Sequence, residues 1–345
     1  MTAATSHLGL APPDLGVAPI TVAWETTRAC HLRCIHCRAV AQPRRDDGEL
    51  TTDEGRDLIG QAADMGTRVF VLTGGDPLMR PDILELIAAA ADSGMHCGFA
   101  PSVTRRLTAA ALGAAVSAGA NTIHLSLDGA SASTHDGFRG VPGAFARTLA
   151  AMDTVAALGA RLQVGTTVTR RSAGELELIA RSIAGRVTQW TLFFLVPTGR
   201  AALDQMLSPS EHERVLRWLA DADLPFAART VAAPTYRRVR AELGRAPVPG
   251  ANDGNGFAFV SHRGDICPSG FLQLAAANVR QARLADTYRR HPLFVSLRDP
   301  SQLNGRCGRC AYTTLCGGSR ARAWAVTGDP LADDPSCPLV AAEQN

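Results

Sequence analysis

Cys30, Cys34 and Cys37 stand in the run Ala29-Cys30-His31-Leu32-Arg33-Cys34-Ile35-His36-Cys37, a C-x3-C-x2-C spacing. Three thiolates in one short loop can hold three irons of a [4Fe–4S] cluster. The fourth iron then keeps an open coordination position, where a small chelator can bind. The competing reading is zinc, or thiols with no common purpose. Zinc sites favour paired C-x2-C or Cys/His knuckles with four closed ligands. His31 and His36 are near enough in sequence to supply imidazoles, so the triplet by itself leaves zinc open.

Two further groups carry ligand-binding chemistry. The first is Thr73-Gly74-Gly75-Asp76-Pro77. Its glycines let the backbone approach a ligand closely, and a carbonyl there, or the Asp76 carboxylate, can take an ammonium group. Alone, G-G-D-P is also an ordinary strand-to-turn signal. The second is Leu125-Ser126-Leu127-Asp128-Gly129, followed by His135-Asp136-Gly137-Phe138-Arg139-Gly140. A strand has a side-chain period of two, so Ser126 and Asp128 share a face. A hydroxyl and a carboxylate suit a ribose or an amino acid, and Arg139 can grip a carboxylate with two parallel bonds. Thr167, at the end of the next apolar run, is placed to meet the same ligand, with the backbone of Leu195–Pro197 beside it. A strand-end turn capped by Asp is the alternative. His124 and His135 read as structural.

The tail holds Cys307, Cys310, Cys316 and Cys337, a C-x2-C-x5-C pattern with a distant fourth member. Four thiolates close a cluster with no open iron, or close a zinc site. Cys97 lies in an apolar run and reads as a buried thiol. Cys267 is unassigned.

These residues need a frame. Apolar, β-branched runs bounded by Gly, Pro or Asp lie at Ile20–Trp24, Val69–Thr73, His96–Pro101, Thr122–Leu127, Leu162–Thr169 and Gln189–Val196. They read as buried parallel strands. Helical stretches fall between them, at Thr52–Met65, Pro81–Ser93, Thr108–Ala118, Gly143–Leu158 and Ala173–Ala184, with another at Ser208–Ala222. Six such units argue for an open parallel barrel or a doubly wound sheet. Composition does not separate the two, but both place a ligand at the C-terminal ends of the strands. The Pro/Gly/Arg-rich stretch 231–256 reads as a linker after a core of 20–230, and 257–345 as a second, smaller domain that opens with a hairpin. Residues 1–19 read as a flexible arm.

The 345 residues are 46% hydrophobic and 19% charged, ample for a packed core. A net charge of +3 gives no argument for nucleic acid or an anionic membrane. No signal-peptide pattern and no membrane-length apolar run is seen, so a cytoplasmic protein is expected. Nine cysteines in such a chain point to metal or redox work rather than disulfides.

Taken together, the motifs resemble the radical S-adenosylmethionine (SAM) superfamily with a SPASM- or Twitch-like extension. The resemblance runs from about Ile20 to Cys337. It implies a partial (β/α)6 barrel with a small C-terminal α+β iron–sulfur domain. Cys30, Cys34 and Cys37 would hold the SAM-binding [4Fe–4S] cluster. Gly74, Gly75, Asp76 and Pro77 match the G-G-E-P motif, with Asp for Glu. Ser126, Asp128, Arg139 and Thr167 would contact SAM. Cys307, Cys310, Cys316 and Cys337 would hold one auxiliary [4Fe–4S] cluster. A full SPASM domain has seven cysteines; here the next expected position after Cys316 is Arg320, and only Cys267 remains upstream. The inner cluster is therefore expected to be absent. The implied reaction is reductive cleavage of SAM and hydrogen abstraction from a substrate C–H, driven by an external donor of flavodoxin or ferredoxin type. Oxidative maturation of a ribosomal peptide is the expected use. The alternatives are modification of a tetrapyrrole side chain, oxidation of a small alcohol or amino sugar, and a cluster- or zinc-bearing scaffold with no activity. Only 1–19 precede the first strand, so a peptide is expected to need a separate recognition protein.

Overall fold

A computed structural model of the chain describes residues 14–248 and 250–343. The units run β1 (Thr21–Glu25), α1 (Thr52–Asp64), β2 (Val69–Thr73), α2 (Ile83–Asp92), β3 (His96–Phe99), α3 (Ala109–Ser117) and β4 (Thr122–Ser126). Then follow α4 (Ala132–Arg139), α5 (Ala144–Ala157), β5 (Arg161–Val168), α6 (Leu176–Ile183), β6 (Gln189–Phe194), α7 (Pro209–Asp221), β7 (Ala227–Val231) and α8 (Thr235–Glu242). The C-terminal part holds β8 (Phe257–Val260), β9 (Asp265–Cys267), β10 (Ala277–Asn278), α9 (Leu284–Arg290), α10 (Pro292–Arg298), α11 (Gly305–Arg309), α12 (Arg320–Thr327) and α13 (Pro338–Ala341).

Strand order settles the topology. The sheet reads β10-β9-β8-β1-β2-β3-β4-β5-β6-β7, and β1 to β7 are parallel neighbours in chain order. A doubly wound sheet must reverse direction at a switch point. Here every step goes the same way, and right-handed crossovers then put all the helices on one face. The result is an open parallel barrel. Alternation sorts each strand accordingly. Val22, Trp24, Phe70, Leu72, Phe99, Ile123, Leu125, Val164 and Trp190 face the helices in one continuous core. Ala23, Val71, Phe257 and Phe259 face inward in a separate cluster with Cys267.

Two segments differ from the sequence expectation. Strand β7 escapes a hydrophobicity reading because Ala-Ala-Arg-Thr-Val is a half-exposed edge, not a buried run. The stretch 231–256 is no featureless linker. It contains α8, whose Arg238 pairs with Glu213 of α7 and with Glu242 at 2.6 Å. Hairpin β8–β9 then continues the barrel sheet, because β8 pairs with β1 in parallel. Of the expected flexible arm, residues 1–13 lie outside the described residues. Residues 14–19 are tied down: Tyr288 donates its hydroxyl to Leu15 O at 2.7 Å and Arg289 donates to Val17 O at 2.8 Å.

The tail is anchored over the strand ends by one buried ion pair. Arg322 of α12 reaches Asp334 at 3.1 Å, and both are essentially fully buried. The same guanidinium donates to Leu195 O, just past β6, at 3.3 Å and to Ala232 O, just past β7, at 2.6 Å. Removing one partner of such a pair strands a buried charge. Asp334→Asn should therefore cost about 3–5 kcal/mol of stability, read by chemical denaturation.

Candidate active site at the mouth of the barrel

The cysteine loop leaves β1 at Glu25 and is laced to the end of β2. Gly75 donates its N–H to Thr27 O and Asp76 to Ala29 O, each at 2.7 Å. The two chains run so close that only glycine fits. A Cβ on Gly74 would lie 2.5 Å from Thr27 O, and one on Gly75 2.5 Å from Ala29 O. Asp76 is fully buried. Its carboxylate accepts from Leu78 N, Ser102 N and the Thr104 hydroxyl, at 3.2, 3.4 and 2.7 Å. The motif thus shapes the loop through its glycines and locks the turn through its Asp. Pro77 opens a one-turn 3-10 helix behind it.

Each sulfur of the triplet has a donor or a polar neighbour. Leu32 N donates to Cys30 Sγ and Ala41 N to Cys37 Sγ, both at 3.4 Å. Arg139 Nη1 donates to Cys34 Sγ at 3.7 Å. Ser102 lies 3.5 Å from Cys30 Sγ and donates to Gly75 O at 2.5 Å. Burial pushes the Cys30 thiol up to about 11. A buried thiol of that kind becomes the thiolate ligand only when a metal cation is present to hold it.

The second motif is also brought together, with roles redistributed. Asp128 is fully buried. It accepts from Thr167 N at 2.6 Å and is ion-paired with Arg139 Nη2. Burial disfavours the charge on Arg139, but Asp128 outweighs it and holds the guanidinium charged. The carboxylate expected to face a ribose therefore serves to aim Arg139, while Ser126 and Thr167 stay half-buried on the inner faces of β4 and β5. Helix α4 completes the contact: its last turn accepts Arg33 N at Arg139 O and Ile35 N at Phe138 O, and Phe138 stacks on His36 with ring centroids 4.3 Å apart. His135 reads as structural here too, accepting Asp128 N at Nδ1, 3.0 Å away.

Sequence reasoning missed the clamp on this loop. Glu25 is fully buried at the end of β1 and binds Arg28 at 2.9 Å and Arg38 at 2.7 Å, one on each side of the triplet. His262 Nδ1, from the β8–β9 turn, lies 3.2 Å away. A lone acid ending a buried apolar strand was the available signal. Burial would raise the Glu25 pKa, but Arg38, then His262 and Arg28, hold it down to about 2. A carboxyl depressed on folding contributes stability that is complete above its ordinary value of 4.5 and is lost as pH falls toward 2. The whole contribution is on the order of 3 kcal/mol. Stability measured by denaturation should fall across that window, and Glu25→Gln should flatten it.

The four tail cysteines line one pocket, walled also by Thr235, Arg238 and Tyr312. Tyr312 N donates to Cys310 Sγ at 3.5 Å and Gly318 N to Cys316 Sγ at 3.4 Å. Burial pushes Cys307 and Cys337 up to about 11. Among the described residues no three His, Cys, Asp or Glu side chains converge as ligands of a single ion. Cys267 lies outside this cavity, on the inner wall beside Phe259, and Cys97 is fully buried in the main core. No helix among the described residues is long and apolar enough to cross a membrane.

Comparison with known proteins agrees with this geometry. Residues 24–181 match the family described as the radical SAM superfamily. An AdoMet-dependent heme synthase of Methanosarcina barkeri is 36% identical over 339 residues, covering 93% of this chain and 96% of that protein. The mycofactocin maturase MftC of Mycobacterium ulcerans is 30% identical, covering 93% and 88%. SuiB of Streptococcus suis, solved with its precursor peptide SuiA, shares the fold with a TM-score of 0.74 at 16% identity, covering 93% of this chain and 76% of that one. With its cysteine loop, its glycine-laced β2 end and its singly wound barrel, the chain belongs to the radical SAM superfamily of enzymes, which work with a [4Fe–4S] cluster and SAM.

Proposed function

We propose that this enzyme oxidatively removes carboxyl groups from the side chains of an iron tetrapyrrole. The supporting observation is the end-to-end likeness to a heme synthase, 36% identity across 96% of that protein's length. Turning a propionate into a vinyl group requires loss of one hydrogen atom, one electron and CO2.

Cys30, Cys34 and Cys37 would hold the first cluster. Bound there with SAM, it supplies a 5′-deoxyadenosyl radical able to take a hydrogen atom from an unactivated C–H. Cys307, Cys310, Cys316 and Cys337 would hold an auxiliary cluster, whose chemistry is one-electron exchange. The chain's own residues do the positioning. Gly74 and Gly75 set the height of the cysteine loop. Glu25 fixes its two flanks. Asp128 aims Arg139 across Cys34, where its remaining N–H groups can meet the SAM carboxylate. Ser126 and Thr167 offer hydroxyls from the inner wall.

The test is anaerobic incubation of reconstituted enzyme with iron coproporphyrin III, SAM and dithionite. Mass spectrometry should show CO2 and two hydrogens lost per modified side chain. An unchanged porphyrin alongside 5′-deoxyadenosine formation would refute the substrate and keep the superfamily.

Oxidative maturation of a peptide is the second reading, supported by the 30% identity to a maturase. It would call for a separate peptide-recognition protein. In both readings electrons come from an external donor, which we propose to be of flavodoxin or ferredoxin type.

Ser126→Ala should weaken SAM binding by about 1–3 kcal/mol, the value of a hydrogen bond to a charged partner, read by calorimetry on the reconstituted protein. Arg139→Ala is a poorer probe, because it also leaves Asp128 buried without its counter-charge.

A further inference from the structure

The motif comparison expects a cysteine at position 320, and the chain has arginine. The side chain is not a surface replacement. Arg320 is only 3% exposed. Its Nε donates to Gly318 O at 3.2 Å, and its Nη1 to Pro330 O and Ala332 O at 3.1 and 2.6 Å. Those three carbonyls fix the plane of the guanidinium. The remaining nitrogen, Nη2, is thereby aimed at Cys307 Sγ, 3.7 Å away. None of these partners is a carboxylate. The buried Asp253 feels the charge of Arg320 across space, but it shares that field with Arg322 and burial pushes its carboxyl toward the neutral form. A buried guanidinium with no hydrogen-bonded counter-ion is costly, so this site favours an anion, and the group Nη2 faces is a thiol of the tail set. The two arginines on the cavity wall are already neutralised, Arg238 by Glu213 and Glu242 and Arg306 by Glu343; Arg237 lies near Cys316 but spends its hydrogen bonds on Gly250 O and Asn252 Oδ1.

We propose that Arg320 is the counter-charge of the tail cluster, donating Nη2–H to the Cys307 thiolate and raising the potential at which that cluster takes an electron. This rests on the reading that the tail cysteines hold a cluster. The physics is direct. Reduction adds negative charge, and a fixed cation with a hydrogen bond to a cluster sulfur favours the more negative state. A ligand lost from the inner set has become a donor to the outer one. The consequence suits an electron acceptor, because the cluster becomes easier to reduce.

The experiment is an EPR-monitored redox titration of the full-length chain carrying Cys30→Ala, Cys34→Ala and Cys37→Ala, so that only the tail signal remains. Adding R320Q should make reduction at least tenfold less favourable, about 59 mV lower for a one-electron couple. R320K, which keeps charge and donor, should fall between. An R320Q protein with full tail iron and an unchanged midpoint overturns the proposal. Should R320Q lose its iron, wild-type protein labelled with 15N-arginine decides. Pulsed EPR of the reduced tail cluster should show a guanidinium nitrogen coupling that R320K removes, and its absence from the wild type overturns the proposal. A parent protein with no tail iron at all overturns the cluster reading, and this inference with it.

Discussion

Replacing Cys30, Cys34 and Cys37 together with alanine is expected to abolish 5′-deoxyadenosine formation by the dithionite-reduced protein. The same change should lower the iron content from about eight atoms per chain to about four. The two effects are linked by geometry. The triplet would leave one iron open, while the four tail cysteines would leave none, so on this assignment only the loop after β1 would present an iron to SAM. The tail cavity is built from α8, α11, the loop that follows α11, and α13 with Cys337 before it, and it shares no cysteine with the loop after β1, so its iron should survive. Iron analysis and chromatography of the nucleoside product read both effects on one sample. Wild-type protein with about four irons and zinc in the tail would refute the auxiliary cluster. About twelve irons would refute the inference that Arg320 marks a lost ligand set. Deoxyadenosine from the triple variant would refute the assignment of the first cluster.

The second large effect is a separation of activities. Cys310→Ala should keep uncoupled cleavage of SAM and lose substrate product. Cys310 lines the tail cavity, and α12, on the same body, is fastened by Arg322 to the chain just beyond β6 and β7. That puts the tail over the strand ends, where, in the proposed reaction, substrate would enter and its carbon radical would shed an electron. The competing view makes the tail a staple whose loss unfolds the region. Circular dichroism and the iron of the first cluster separate the two. A folded Cys310→Ala protein that forms product at the wild-type rate would refute the redox role.

Much of this was legible in the sequence, for identifiable reasons. Parallel strands buried on both sides announce themselves as apolar runs, and their ends were placed within about two residues, as for Val69–Thr73 and Gln189–Phe194. The cysteine spacings carry their chemistry openly. Barrel and doubly wound sheet differ only in the direction of each crossover, which no composition records. Roles within motifs were harder. A carboxylate's spacing does not reveal its partners, and the Asp76 and Asp128 carboxylates both accept from protein donors. Glu25 offered only the signal of a lone acid ending an apolar strand, because its partners come from the loop beyond it and from a turn far along the chain. The substrate was least legible. The motifs point to the reagent common to the superfamily, and the tetrapyrrole, an alternative in the sequence reading, is proposed ahead of a peptide on likeness over the whole chain.

The pairing of β8 with β1 bears on how the enzyme is made. The strand that launches the cysteine loop is flanked on one side by β2 and on the other by residues 257–260, more than two hundred positions later in the chain. Until that late segment has been synthesised, β1 has an open edge and Glu25 lacks His262. Contacts of such long range close slowly, and unpaired edges invite association. The cysteine loop therefore reaches its final shape only after residues 257–262 have been made. Chains stopped short of Phe257 should accumulate as aggregating, cluster-free species rather than as a working half-enzyme.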